Sequence, residues 1–259
     1  MTLRRIVLAG AAAIALGAAP ASAAVIQLGF ILDRSGSIGS GNWTTIVNGL
    51  SSAVNTLIPV GGANTYEISV VTFSSAATIN INSYTVNTIA DRSALAGLIA
   101  AIPFSGGGTN FAPAFTAMQT ALTDAVGTNG FVVAGSNSKS YVNFATDGAE
   151  GDPVAGVAAR NALIAAGVDN ISIEGIGSGV DAAGLQGSYC YPQACDTTSP
   201  YNFDTQGFYI GVSDAAGYAA AIGNKIQVVT QTDVPEPTSF AVLGVSLLGL
   251  GLTMRRRAH

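Results

Sequence analysis

Apolar residues recur along the interior of the chain with two different periods. Residues 25–32 form a nearly continuous apolar run, which is typical of a strand buried on both faces of a sheet. Over 43–58 the apolar side chains recur every three or four positions instead, which is the spacing of an amphipathic helix. A buried strand followed by a helix is therefore predicted at the start of the interior.

The same alternation continues towards the end of the interior. Further strands are predicted over 67–73, 77–86, 141–145, 171–176 and 208–212, and further helices over 92–101, 113–124, 154–166 and 214–229. Asp91, Asp152 and Ser213 stand where helix caps are expected, because short polar side chains accept hydrogen bonds from the free N–H groups of a first turn. The segment 178–205 shows neither period and is predicted to be a loop.

Strands that alternate with helices indicate an α/β fold, a Rossmann-like three-layer sandwich with a mostly parallel central sheet and helices on both faces. The segment 77–86 is rich in Ile, Val, Thr and Tyr, so it is predicted to be one antiparallel strand at the edge of the sheet. Ligands of such sheets bind outside the carboxyl ends of the parallel strands. A site is therefore expected in the loops that follow residues 32, 73, 102 and 145.

The N-terminal segment has the anatomy of a secretory signal peptide. Arg4 and Arg5 precede an apolar run over 6–19, and the Ala-Ser-Ala sequence at 21–23 matches the small-residue pattern at which such peptides are cleaved. Residues 1–23 are therefore predicted to be a signal peptide that is removed on export. An N-terminal membrane anchor is the alternative, but the apolar run is short for a membrane span.

A second apolar segment lies at the other end of the sequence. A Pro-Glu-Pro motif at 235–237 precedes an apolar stretch over 240–254, and an arginine cluster at 255–257 follows it. A helix of this length reaches about 22 Å, which is short of the roughly 30 Å hydrocarbon core, so the stretch is a marginal membrane span. The arginines would hold this end of the chain in the cytoplasm.

This terminal segment resembles the PEP-CTERM sorting signal of Gram-negative bacteria, in which the same three parts occur in the same order. The resemblance implies an exosortase as processing partner, transient anchoring in the inner membrane, and delivery to the cell surface or an extracellular matrix. An ordinary C-terminal membrane anchor is the alternative, with the same topology before cleavage. The chain is thus divided into a signal peptide over 1–23, one domain over 24–230 and a sorting signal over 231–259.

Removing the terminal segments changes the charge balance. The whole sequence has ten Lys and Arg against fifteen Asp and Glu, a formal charge of -5, and a mean hydropathy of +0.44. Residues 24–233 keep five of the basic and fourteen of the acidic residues, which gives a charge of −9. An acidic domain with so few Lys and Arg is not suited to nucleic acid or to an anionic membrane surface, and it favours cations as partners.

The only histidine of the sequence is His259, at the end of the predicted sorting signal. The mature domain therefore has no Ser-His-Asp or Cys-His catalytic site, no histidine general base and no histidine-ligated zinc. Cys190 and Cys195 are the only cysteines. In an exported chain they are expected to form a disulfide; a two-cysteine metal clip is the alternative, but it lacks two further ligands.

Side chains with oxygen atoms follow the strands at the rim where a ligand is expected. They are Asp33, Ser35, Ser37, Thr109 and Asp147. The first three form an Asp-x-Ser-x-Ser motif in one turn, the threonine follows three glycines, and the second aspartate follows a strand. Because the carboxyl ends of parallel strands share one edge, these side chains are expected to converge. Such oxygens suit a hard divalent cation such as Mg2+, which takes about six oxygen ligands.

With this set of side chains, the interior resembles a von Willebrand factor type A (VWA) domain over about residues 25–230, and the oxygen cluster resembles its metal-ion-dependent adhesion site (MIDAS). The resemblance implies that Ser35, Ser37 and Thr109 bind the cation directly, that Asp33 and Asp147 often act through water, and that one coordination position stays open for a partner's carboxylate. It also implies Mg2+ as the cation, with Mn2+ or Ca2+ as substitutes. The implied function is cation-bridged adhesion to a protein or an acidic polysaccharide, without enzymatic activity.

Two other roles remain open for the same residues. One is a structural matrix component whose metal stabilises the fold. The other is a hydrolase that uses Ser35 or Ser37 as nucleophile or the metal as Lewis acid, which the missing histidine base disfavours. Glu150 and Asp152 also follow Asp147 closely. They are expected to be a solvated loop residue and a helix cap rather than a second cation contact.

Overall fold

Six strands form one central sheet. A computed structural model describes residues 24–123, 138–199, 201 and 205–232. The strands are β1 (Val25–Asp33), β2 (Thr65–Phe73), β3 (Ala77–Val86), β4 (Lys139–Thr146), β5 (Asn170–Ile176) and β6 (Tyr209–Val212). The predicted signal peptide, and the sorting signal from residue 233 onwards, lie outside the described residues.

The strands lie in the order β3-β2-β1-β4-β5-β6. β2 and β3 pair antiparallel at one edge, and all other neighbouring strands pair parallel. The predicted mostly parallel sheet with one antiparallel edge strand is therefore confirmed. The chain moves from β1 outwards to β2 and β3, and then returns to β4 on the other side of β1. The carboxyl ends of β1 and β4 consequently flank the switch point at which sheets of this kind bind ligands.

Helices cover both faces of the sheet. They are α1 (Gly39–Leu57), α2 (Ile89–Ala100), α3 (Phe111–Thr123), α4 (Pro153–Ala166), α5 (Ala182–Ser188) and α6 (Ala215–Thr232). Leu28 and Phe30 on β1 share a buried core with side chains of α1, α2 and α6, whereas Ile31 shares one with side chains of α3, α4 and α5. This division follows from the alternation of side chains along a strand. The predicted three-layer α/β sandwich is confirmed.

Helix α2 begins earlier than predicted, at Ile89, because Thr88 and not Asp91 is its N-cap. The two side chains form a capping box. Asp91 N–H donates to Thr88 Oγ1 at 3.1 Å, and Thr88 N–H donates to Asp91 Oδ2 at 2.9 Å. Asp91 therefore lies in the first turn of the helix, and not before the helix as predicted from the sequence.

Aspartates cap two of the later helices. Asp152 caps α4 as predicted, and its Oδ1 accepts from Ala155 N–H at 3.1 Å. At α6 the prediction of Ser213 was wrong, because Asp214 Oδ1 accepts a hydrogen bond of 2.8 Å from Gly217 N–H. Within the described residues, no helix is long and apolar enough to cross a membrane, and the apolar stretch over 240–254 lies outside them.

The segment 178–205, predicted to be a loop, contains helix α5. Asp181 caps this helix by accepting a backbone hydrogen bond of 3.0 Å from its first turn, and Leu185 buries its apolar side. A seven-residue helix with one large apolar side chain has no detectable period, which is why the sequence did not indicate it. Cys190 and Cys195 follow the helix and form a disulfide, as predicted.

Candidate metal centre

Asp33 ends β1 with its carboxylate buried beneath the following turn, where the residue is only 2% exposed. Its Oδ1 accepts from Ser35 N–H at 2.8 Å, and its Oδ2 accepts from Thr146 Oγ1 at 2.6 Å. Thr146 is the last residue of the neighbouring strand β4. Asp33 therefore fixes the conformation of the turn and joins the turn to the end of β4.

A chain of hydroxyl and carboxylate oxygens continues from this turn. Ser35 Oγ and Ser37 Oγ are 3.0 Å apart, within hydrogen-bond distance. Ser37 Oγ in turn donates to Asp147 Oδ1 at 2.8 Å. Because Asp147 directly follows β4, the hydrogen bond connects the loops after two adjacent parallel strands. The convergence expected from the sequence is present for all four of these residues.

The glycine loop before Thr109 lies against the same turn. Gly36 N–H donates to the carbonyl of Gly107 at 2.9 Å, and Gly106 N–H donates to the carbonyl of Arg34 at 3.1 Å. Gly106 and Gly107 have φ of +70° and +111°, in the left-handed region that residues with a side chain rarely adopt. The glycines thus allow this loop to approach the backbone of the turn.

Thr109 itself lies beside the loop that follows β4. Its carbonyl accepts from Gly151 N–H at 3.2 Å. A Cβ placed on Gly148 would be only 3.2 Å from Thr109 Oγ1. Gly148 directly follows Asp147, so the threonine hydroxyl lies against the start of the loop after the second aspartate. The segments that carry the five predicted residues therefore meet at the carboxyl ends of β1 and β4.

The two carboxyl groups of this cluster are held in an environment that disfavours their charge. Burial raises the pKa of Asp33 above its ordinary value, against the lowering effect of hydrogen bonds from Ser35 and Thr146, and the nearby Asp147 raises it further. Burial also raises the pKa of Asp147, and the hydrogen bond from Ser37 opposes this. The negative charges are desolvated and repel each other.

No basic side chain of the described residues compensates these charges. The nearest one in sequence is Arg34, which donates instead to the carbonyl of Pro103 and to Thr78 Oγ1. The two lysines form ion pairs with other carboxylates, Lys139 with Asp169 and Lys225 with Glu174. A pair of partly buried carboxylates without a basic partner has the electrostatics of a cation site.

The donor set suits a hard divalent cation. No group of three or more His, Cys, Asp and Glu side chains that could hold a metal occurs in the described part of the chain, so a site here depends on hydroxyl oxygens as well as carboxylates. Mg2+ prefers oxygen ligands and keeps several of its waters, and it needs few protein groups. The residues present therefore fit such an ion.

Glu150 is a further residue of this region, with a role that the sequence did not indicate. Its Oε1 accepts from Phe111 N–H, at the start of α3, at 2.8 Å. Its Oε2 accepts from Tyr189 Oη, at the end of α5, at 3.1 Å. Phe111 is two residues after Thr109, so Glu150 holds the threonine segment against the loop after β4. The expectation of a solvated loop residue was wrong, because both carboxylate oxygens are engaged by distant residues.

The ring of Tyr189 is packed as well as hydrogen-bonded. It stacks on Phe115 with 5.6 Å between centroids, and it meets Phe111 edge-on at 5.5 Å. Burial and the adjacent carboxylate of Glu150 raise the pKa of Tyr189 well above its ordinary value, so the hydroxyl stays protonated and donates. Thr146 and Tyr189 were missed in the sequence; only the position of Thr146, directly before Asp147, could have indicated it.

A three-layer α/β sandwich with hydroxyls and carboxylates gathered at the switch point of its sheet defines a class of cation-dependent binding domains. The family model of the von Willebrand factor type A domain matches residues 27–206, and the chain belongs to this family. The model of the PEP-CTERM protein-sorting motif matches residues 233–257. Both resemblances seen in the sequence are confirmed.

Solved structures show the same fold. Proximal thread matrix protein 1 from the mussel byssus has a TM-score of 0.56 and 18% identity over 81% of this chain and 46% of its own. A second structure of that protein, with the same values, has a zinc-occupied MIDAS motif. Manganese-loaded TRAP protein of Plasmodium vivax has a TM-score of 0.52 and 22% identity over 78% of this chain and 73% of its own.

A von Willebrand factor type A protein from Catenulispora acidiphila is similar to the same degree. Its TM-score is 0.59 at 15% identity, over 80% of this chain and 43% of its own. The chain thus spans less than half the length of the mussel and Catenulispora proteins. No match was found among curated proteins. At these identities the structural likeness establishes the fold.

Proposed function

We propose that this chain is an exported binding module that holds a divalent cation at the candidate metal centre and bridges it to a carboxylate of a partner. The observation that carries the proposal is the hydrogen-bonded series of Ser35, Ser37 and Asp147 oxygens, with buried Asp33 behind it. Among the described residues no basic side chain stands with these acidic and hydroxyl groups, so a cation would complete them.

The residues of the candidate metal centre would have two different roles. Ser35, Ser37 and Thr109 would hold the cation through their hydroxyl oxygens, while Asp33 and Asp147 would neutralise it, often through water. When bound, the cation supplies a positive centre whose remaining coordination position accepts a carboxylate oxygen. The hydrogen bond from Thr146 and the Ser35 N–H fix the carboxylate of Asp33 beforehand, which limits the ordering needed on binding.

Mg2+ is the cation that we propose, with Mn2+ or Ca2+ as substitutes. An oxygen-only donor set favours hard ions over soft ones. One similar structure has a zinc-occupied MIDAS motif and another is manganese-loaded, which supports a divalent cation for this chain.

The terminal segments support a route of export. In this proposal residues 1–23 are a signal peptide, 24–230 are the VWA domain, and 231–259 are the sorting signal. An exosortase would process the chain after transient anchoring in the inner membrane, and the sorting motif that matches 233–257 supports this step. The destination would be the cell surface or an extracellular matrix, where a protein or an acidic polysaccharide supplies the carboxylate.

A structural role in a matrix is the second candidate. The similarity to a thread matrix protein favours it, and in that role the metal would stabilise the fold without bridging a partner. A hydrolase is less favoured. Ser35 and Ser37 are hydrogen-bonded to each other, Ser37 also donates to Asp147, and no histidine lies beside them in the described residues.

Retention on a carboxylated surface separates the adhesive role from the structural one. Metal-loaded protein is passed over carboxymethyl-dextran and over unmodified dextran, each with Mg2+ and with EDTA. The adhesive role predicts retention on the carboxylated surface only, in Mg2+ only, and its loss in Asp147→Ala. Equal passage over both surfaces, by protein that nevertheless binds Mg2+, supports the structural role instead.

A further inference from the structure

Three polar side chains outside the metal centre meet between the sheet and α6. Glu174 on β5 is fully buried, Asn143 on β4 is 3% exposed, and Lys225 on α6 is 8% exposed. The mature domain has few charged residues, yet a carboxylate and an amine are placed in its core. Burying a charged group costs free energy unless the group is paired and hydrogen-bonded.

The carboxylate of Glu174 lies between the amine and the amide. Lys225 Nζ is 3.3 Å from Glu174 Oε1, and Asn143 Nδ2 donates a hydrogen bond to Glu174 Oε2. One carboxylate therefore binds a primary amine through one oxygen and a primary amide through the other.

Aromatic side chains surround the cluster. Lys225 Nζ lies 4.5 Å from the ring centroid of Phe208, which in turn stacks on Tyr201 at 4.7 Å. Tyr218 is fully buried on α6, and burial, with a smaller contribution from Glu174, raises the pKa of its hydroxyl. The surroundings are apolar, so they favour uncharged forms of the amine and the acid.

The direction of both pKa shifts agrees with that environment. Burial lowers the pKa of Lys225 and raises the pKa of Glu174, and in each case it outweighs the attraction between the two. Both shifts favour transfer of a proton from the amine to the carboxyl group within this pair, which would leave the amine with a free lone pair. A desolvated, uncharged lysine is a nucleophile.

The side-chain carbonyl of Asn143 lacks a hydrogen-bond partner in the part of the chain that the structure describes. Asn143 Oδ1 is buried and accepts no hydrogen bond within the described residues. A plain ion pair between lysine and glutamate does not require an asparagine with an unsatisfied carbonyl next to it, because such a group costs free energy.

We propose that Lys225 and Asn143 form an intramolecular isopeptide bond, with Glu174 as the proton carrier. The lone pair of Nζ attacks Cγ of Asn143, and the carbonyl takes up the electron pair. Glu174 gives its proton to Nδ2 and takes one from Nζ. The carbonyl re-forms, the Cγ–Nδ2 bond breaks, and ammonia leaves. An amine and a primary amide thus become a secondary amide and ammonia, and no further reactant is needed.

The bond would join β4, next to the centre of the sheet, to the last helix before the sorting signal. Helix α6 is otherwise held by side-chain packing and by this polar cluster. A covalent link at Lys225 would keep the helix on the sheet when the chain is pulled from its C-terminal end. This role is independent of the metal centre, whose residues it does not use.

Peptide mapping of the purified full-length protein tests the proposal. Trypsin normally cleaves after Lys139, Arg160 and Lys225. In the linked protein, cleavage at Lys225 is lost, and the peptide 140–160 is found attached to the peptide that contains Lys225. The mass of the branched species is lower than the sum of its parts by one molecule of ammonia.

Variants separate the chemistry from the fold. Glu174→Gln and Lys225→Met should both release a free 140–160 peptide and show the full mass, while Asn143→Asp should lose water where the wild type loses ammonia. Asp169→Asn, which removes the carboxylate of the other lysine pair, is the matched control and should remain linked. Wild-type protein that is folded by circular dichroism, yet is cut at Lys225 and has an unmodified 140–160 peptide, would overturn the proposal.

Discussion

Ser37 Oγ donates a 2.8 Å hydrogen bond to Oδ1 of Asp147, although the two residues are 110 positions apart in the chain. The bond joins the turn after β1 to the loop after β4, which flank the switch point of the sheet. The acceptor carboxylate has no basic partner in the described part of the chain. The divalent cation that we propose here would balance the charge of this carboxylate.

Asp33→Asn should stabilise the metal-free protein at neutral pH. The amide keeps the size of the side chain, but it removes a buried charge that repels Asp147. We expect a gain of about 1 kcal/mol, or roughly 3 °C in Tm, measured by thermal unfolding in EDTA. The same variant should no longer gain stability from Mg2+, whereas the wild type should.

The pH dependence of this gain has a definite sign. The pKa of Asp33 is raised in the folded state, so its ionised form destabilises the metal-free fold above that pKa, and protonation removes the penalty as the pH falls. The advantage of Asp33→Asn should therefore shrink as the pH is lowered from 7 towards about 4. If the stability advantage of Asp33→Asn grew as the pH was lowered, the raised pKa of Asp33 would be contradicted.

Glu150→Ala should weaken metal binding by about tenfold, because outer partners that orient ligands typically contribute this much. The loss follows from releasing Phe111 N–H and Tyr189 Oη, which fix the segment of Thr109. Glu150→Gln retains an acceptor for Phe111 and should bind within a few-fold of the wild type. Titration calorimetry with Mn2+ gives the affinities.

Asp152→Asn is the matched control for Glu150, since it removes a nearby negative charge but leaves the contacts to Phe111 and Tyr189 intact. It should leave the Mn2+ affinity nearly unchanged. If Glu150→Gln and Asp152→Asn weaken binding as much as Glu150→Ala does, then Glu150 acts through its charge and not by positioning Thr109.

The local parts of the site were predictable from the sequence, and the non-local parts were not. Asp33, Ser35 and Ser37 form a motif in one turn, and the rule for strand ends placed Asp147 on the same rim. The contacts of Glu150 join the loop after β4 to the ends of two helices, and nothing in the spacing of residues indicates them. Proximity in the fold decides such contacts.

The same distinction explains the differences in the fold. The continuous apolar run of β1 and the helical period of α1 were sufficient to predict these elements. Helix α5 has glycine at 184 and 187 and one large apolar side chain, so its sequence shows no such pattern. For α2, both Thr88 and Asp91 are good caps, and only the reciprocal hydrogen bonds show which one precedes the helix. The buried pair of Glu174 and Lys225 likewise had no signature in the sequence.

Gly148→Ala should disturb the metal centre through a steric contact. The added Cβ would lie 3.2 Å from Thr109 Oγ1, closer than an ordinary van der Waals contact, and would push the hydroxyl away. We expect about tenfold weaker Mn2+ binding with little change in Tm. Gly41→Ala, where the added Cβ would meet nothing within 4 Å, should leave Mn2+ binding unchanged. Equal affinities in both variants would contradict the expected displacement of the Thr109 hydroxyl from the metal.

Calorimetric titration of metal-free, full-length protein with Mg2+ decides whether the candidate metal centre binds a cation. We expect one saturable site per chain, and we expect Asp33→Ala and Asp147→Ala to abolish this site while the protein remains folded. Binding that is unchanged in both variants, or the lack of a saturable site in the wild type, would contradict the assignment of these residues to a metal centre.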